Sequence, residues 1–174
     1  TGRYIGMPAE SRMALAESFE VLTTEAPTEV AEGLMVTGPI PRLMHFEDTG
    51  GPFFEDAECR QPDDLIDDQA AFLETSAGTV VILGCAHAGI VNTLHYIMQL
   101  VPDLPVHTVI GGTHLVAGSE TRMNETVEAL QAMDIQRLFP LHCTGFQAAA
   151  RLWKEFPGRV RACPVGTRVE LPAC

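Results

Sequence analysis

The chain of 174 residues has no apolar run approaching the roughly 18 residues of a membrane-spanning helix. No transmembrane segment is therefore expected. Basic residues are also scarce: 11 Lys and Arg stand against 23 Asp and Glu, for a net charge of −12. A nucleic-acid surface is normally basic, so that class of partner is set aside. The acidity reads instead as a well-solvated surface. Five cysteines (Cys59, Cys85, Cys143, Cys163 and Cys174) are an odd number without regular spacing. They do not make a disulfide framework, and reduced thiols in a cytoplasmic protein are the expectation. No signal peptide with a charged n-region and apolar core is visible in these residues, and no internal repeat or low-complexity tract. The first residue is Thr1 rather than Met, which reads as a processed start or a fragment, the fragment being preferred.

What is present is an ordinary globular composition, 46% hydrophobic and 20% charged, enough for one domain with a sizeable core. Residues 1–66 are weakly patterned, irregular strands and loops. A short helix is expected from Met7 to Phe19, with strands at Phe19–Thr23 and Leu34–Thr37. A Pro/Gly/acidic stretch from Gly38 to Asp64 reads as a functional loop. From 67 to 174 strands alternate with helices, so the fold class is α/β. Gln69–Thr75 and Thr79–Leu83 form a hairpin through Ser76-Ala77-Gly78. A helix follows His87 with Ile90, Val91, Leu94, Ile97 and Met98 on one face. After a strand at Thr108–Ile110, Ser119 caps a helix with Met123, Val127 and Leu130 on its stripe. After a strand at Leu138–Pro140, Thr144 is expected to cap a helix burying Phe146, Ala149, Trp153 and Phe156. Val160–Ala162 and Arg168–Leu171 read as closing strands.

Three apolar runs each end in a histidine: Thr79 to His87, Val106 to His114 and Arg137 to His142. Parallel neighbours would bring all three to one sheet edge, where open α/β sheets place ligand sites. Imidazoles gathered there hold zinc, iron or manganese. His142 is expected as a metal ligand and His87 as a ligand or proton donor. His114 is expected in a catalytic role. Cys85 is a second candidate on the His87 run, either a thiolate ligand or a small buried hydrophobe. His87 is preferred over Cys85, because a free buried cysteine is common. Two side chains two residues apart share a face only if residues 84–88 stay extended. Thr144 and Gly145, at a helix start with free N–H groups, are candidates for binding an anionic substrate group. Asp67 and Asp68 read as a turn cap rather than a hard-metal pair. His45, His95 and His107 lack the strand-end setting and read as structural or exposed.

The blocks Gly84-Cys-Ala-His-Ala-Gly-Ile-Val-Asn92, Gly111-Gly-Thr-His-Leu115 and Pro140-Leu-His-Cys-Thr-Gly145 resemble the metallo-β-lactamase superfamily. The nearest branch is that of dihydropterin–ribofuranosylaminobenzene phosphate synthase-like proteins. Thr37-Gly-Pro-Ile-Pro-Arg42 and Asp67-Asp-Gln-Ala70 resemble the same branch. The resemblance implies the C-terminal half of an αββα sandwich, with one or two divalent metal ions, zinc first. It also implies a hydrolase whose metal-activated water attacks an ester, lactone, amide or phosphoester. The family's H-x-H-x-D-H motif is absent here, so this chain would supply only part of the site and by itself be inactive. A missing N-terminal half or a second copy of the chain would then be its partner, alongside a small-molecule substrate. Two other readings stand beside the hydrolase: a pterin/phosphoribosyl-type transferase, and a non-catalytic half-domain that assembles with a partner chain.

Overall fold

The computed structural model describes residues 2–171 and 173; Cys174 lies outside the described residues. The elements in chain order are α1 (Ala9–Ser18), β1 (Thr28–Ala31), β2 (Leu34–Val36), β3 (Ala70–Thr75), β4 (Gly78–Leu83), α2 (Ile90–Leu100), β5 (Val106–Gly112), α3 (Glu120–Ala132), β6 (Arg137–Leu141), a 3-10 turn His142–Thr144 and α4 (Phe146–Glu155). The six strands form one mixed α/β sheet in sequence order. β1 to β4 are antiparallel meanders, and β4, β5 and β6 run parallel. The connections from β4 to β5 and from β5 to β6 carry α2 and α3, which lie on the same face of the sheet, as crossovers of one hand require. Their apolar stripes accordingly share one core with that face: Ile90, Leu94, Ile97, Val127 and Leu130 pack with Phe72, Val81, Val109 and Leu138. On the opposite face, Val80, Thr108 and Phe139 are buried, whereas Leu73 and Ile110 are half-buried and Ile82 is exposed.

The hairpin of β3 and β4, the helix after His87, the strand after it and the helix capped by Ser119 form where their apolar patterns place them. Ser119 is the cap of α3, its hydroxyl accepting from Arg122 N. Several local expectations are corrected. Residues 19–23 are exposed and form no strand, whereas β1 at Thr28–Ala31 does, paired with β2. Val160 makes only an isolated bridge to Leu138, and residues 168–171 form no strand. Met98 is exposed on α2.

The largest correction concerns α4. Its cap position is Gly145, not Thr144. Its buried positions are Ala148 and Leu152, while Phe146 is 88% and Trp153 48% exposed. The 3-10 turn before the helix takes up three residues, and so sets a different rotation of α4 about its axis from the one a helix begun at Thr144 would have. Phe156 remains buried.

Candidate active site

Cys85, His87, His114 and His142 lie just beyond the carboxyl ends of the parallel strands β4, β5 and β6. Three residues there adopt left-handed backbone conformations although none is glycine: Ala86 (φ 54°), His114 (φ 48°) and His142 (φ 46°). Such strain is retained only where the surroundings over-determine it, and it clusters at functional sites. Ala86 has a direct consequence. It breaks the extended run 84–88, so Cys85 and His87 do not share a face. Cys85 Sγ lies 3.5 Å from His142 Nδ1. His87 turns the other way, toward His114 and residues 49–53.

His87 and His114 form a pair, with ring centroids 4.1 Å apart. Both rings bond to backbone carbonyls. His87 Nδ1–H donates to Thr49 O at 2.8 Å, and His114 Nε2–H donates to Gly50 O at 3.2 Å. A carbonyl only accepts, so in the neutral imidazoles these bonds fix the tautomer and leave the lone pairs on His87 Nε2 and His114 Nδ1. The latter is buried and has no hydrogen-bond partner. Phe53 closes over the pair, edge-on to His87 at 5.1 Å. Gly50 (φ +80°) is needed for this approach, because a Cβ there would penetrate the His114 ring.

The loop that supplies these carbonyls is tied down from two sides. The buried Glu47 carboxylate accepts Val91 N at 2.8 Å and Asn92 N at 2.7 Å, and so caps the start of α2. Gly89 leaves room for that carboxylate; a Cβ would meet Glu47 Oε2 at 2.1 Å. Asn92 Oδ1 accepts Leu43 N and Met44 N, each at 2.8 Å. From α3, the Arg122 guanidinium bonds both the carboxylate and the carbonyl of Asp48. The Arg122 side chain is only 3% exposed. Burial pushes the Glu47 carboxyl above its ordinary range, against the pull of the two N–H donors and of Arg122 and Arg42. Asp68 settles as a loop anchor, its carboxylate accepting Ala88 N at 2.7 Å.

A second cluster lies beside the first. The donor atoms of Cys85, His142 and Cys143 all fall within 4.8 Å of one another, the only such set of three among the described residues. Cys143 Sγ donates to Cys85 O at 3.4 Å. Burial, ahead of the neighbouring Cys85, pushes the Cys143 thiol up to about 11. Thr113 and Thr144, both buried, join the ends of β5 and β6 through hydroxyls 3.0 Å apart. Thr144 is thus engaged within the protein, and Gly145 (φ 74°) begins α4 against Val116.

The expected residues therefore form two groups, His87 with His114 and Cys85 with His142. Cys143, Glu47, Asp48 and Arg122 were missed by sequence reasoning. Of these only Cys143 carried a signal, being adjacent to His142 and at the end of the strand run neighbouring those of Cys85 and His114. The donors fit a divalent cation. A ligating histidine typically gives its other ring N–H to a backbone carbonyl, as His87 does, and His114 offers an orphaned buried lone pair.

His114 makes stability pH-dependent. Burial, then the neighbouring His87, holds its pKa below the usual 6.5. In the window just below 6.5 the unfolded chain binds the proton more readily than the folded one. Stability is full above that window and falls as pH drops through it. Urea melts at pH 7.5 and 5.5 should show this loss, and His114→Gln should reduce it. An unchanged pH dependence in the variant would remove His114 as the cause.

No family model matches the chain. It is 31% identical over 155 residues to an uncharacterized protein of Methanocaldococcus jannaschii, matching 86% of this chain and 55% of that protein. Over 94 residues it is 31% identical to the 7,8-dihydropterin-6-methyl-4-(beta-D-ribofuranosyl)-aminobenzene-5'-phosphate synthase of the same organism, matching 54% of this chain and 32% of that protein. The chain thus spans about half the length, or less, of these curated relatives. Among solved structures, a metal-dependent hydrolase of the β-lactamase superfamily superposes with a TM-score of 0.80 at 26% identity, over 93% of this chain and 62% of that one.

Proposed function

This chain has the fold and the sequence blocks of the metallo-β-lactamase superfamily, and from that premise we propose that it carries part of the active site of a metal-dependent hydrolase. The observation that carries the reading is the His87–His114 pair. Both rings are oriented by loop carbonyls so that Nε2 of one and Nδ1 of the other keep free lone pairs. Strain at three strand ends supports it. Cys85 and His142 would hold one cation and His87, turned the other way by Ala86, would serve a second, zinc before iron or manganese, with the remaining ligands supplied from outside residues 1–174. A bound divalent cation supplies an activated water and Lewis acidity toward an ester, lactone, amide or phosphoester.

The chain's own residues do the rest. Thr49 and Gly50 carbonyls fix the imidazole tautomers, and Arg122 and Glu47 hold the loop that carries them. Neutral His114, with its free Nδ1, is placed to accept a proton. Phe53 excludes water from the imidazole pair.

A transferase acting on a pterin- or phosphoribosyl-type substrate is the second reading. Its support is the groove beside His142, where exposed Phe146 and Trp153 stand with Arg161. Aromatic faces suit a planar ring, and a guanidinium suits a phosphate.

His87→Ala in the full-length protein should lower metal affinity or turnover by about 10-fold or more, on the scale that loss of a metal-site partner costs. Isothermal titration with zinc and hydrolysis of a generic phosphodiester at matched metal loading are the measurements. Wild-type values in both would take His87 out of the site. Product analysis with a phosphoribosyl substrate separates hydrolysis from group transfer.

A further inference from the structure

The cysteine that follows His142 is used by nothing described so far, yet its thiol is placed as carefully as the histidines. We propose that Cys143 is a metal donor, completing with Cys85 and His142 a Cys–His–Cys set that selects thiophilic divalent cations, zinc or ferrous iron, over magnesium and manganese. The proposal rests on the metal-dependent reading above and adds to it a ligand and a cation class.

The geometry comes first. A sulfur and a nitrogen bound to one tetrahedral zinc, at the usual bond lengths, sit about 3.6 Å apart. Cys85 Sγ and His142 Nδ1 are 3.5 Å apart. Cys143 Sγ falls within 4.8 Å of both. At that range small rotamer changes bring three donors onto one ion.

The backbone holds this arrangement. His142 takes the left-handed conformation that turns its ring back toward Cys85. Gly112 passes under Cys143 so closely that a Cβ would lie 2.6 Å from its Sγ. The thiol is held between the ends of β4 and β6 by its bond to Cys85 O. This is not the environment of a cysteine that merely fills space.

The donors also leave an opening. His142 is exposed while the two thiols are half-buried, and His142 also lines the groove that holds Phe146 and Trp153. Three protein donors and one open position is the pattern of sites where a cation meets substrate. Thiols bind as thiolates, so loading releases one proton from each cysteine to solvent, and two negative sulfurs balance a divalent charge. Soft sulfur donors disfavour magnesium and manganese, which take oxygen ligands.

Cobalt(II) is the probe, added to the metal-stripped full-length protein under reductant. The readout is the near-ultraviolet sulfur-to-cobalt charge-transfer band, independent of activity. Wild type should show the band, and a large excess of magnesium should leave it intact while zinc abolishes it. Cys143→Ser should remove about half of the intensity, one thiolate of two, and Cys163→Ser none. X-ray absorption of the zinc-loaded wild type needs no variant and should count two sulfur neighbours at about 2.3 Å. A full-strength band in Cys143→Ser, or one sulfur or none around zinc, overturns Cys143 as a donor and leaves the hydrolase reading standing. A wild type that binds neither cobalt nor zinc overturns both.

Discussion

In the full-length protein, His142→Ala should reduce turnover of a phosphodiester or lactone by about 100-fold or more, at least the upper end of what losing a metal-site partner costs. That is about 2.7 kcal/mol of transition-state stabilisation. The side chain is exposed, and its ring contributes to no part of the hydrophobic core. On the proposed reading, removing it takes away a metal donor and the orientation of whatever the cation activates, while the sheet beneath is untouched. The melting temperature should therefore move little. The measurement is turnover at matched metal loading, beside a thermal melt. Near wild-type turnover would remove His142 from the site, and a collapsed melting temperature would make its role structural.

The second large effect is on stability and separates two rotations of α4. Leu152 is fully buried and Phe146 is 88% exposed. Leu152→Ala should lower the free energy of unfolding by about 2–5 kcal/mol, the transfer term plus the cavity left behind. Phe146→Ala should stay within about 0.5 kcal/mol, as surface changes do. Denaturant melts of the two variants under the same conditions give both numbers. The reverse order would restore the orientation that the apolar spacing of the sequence suggests, with Phe146 and Trp153 inward. Phe146→Ala should show itself instead in substrate affinity, through the groove beside His142.

That orientation marks where sequence reasoning fails and why. Phe146, Ala149, Trp153 and Phe156 have as good a helical spacing as Ala148 and Leu152, and a longer apolar reach. Large aromatic residues ordinarily point inward, but an exposed one is not rare on a protein surface, and spacing alone does not say which face packs. Phe19–Thr23 fails for a different reason. A short apolar run has no meaning without a partner strand, and the partner of β2 is Thr28–Ala31.

The sequence by itself determined the α/β class and the placing of His87, His114 and His142 at strand ends. It could do so because periodicity and glycine placement are local properties. Only the tertiary structure decided how those side chains are shared out. Left-handed Ala86 sends Cys85 to His142 and His87 to His114. The carbonyls of Thr49 and Gly50, brought from 38 and 64 residues away along the chain, fix the tautomers. Cys143 comes into the cluster the same way, 58 residues from Cys85. These are contacts between distant segments whose geometry depends on packing and on a few strained backbone angles, and no window of sequence contains them.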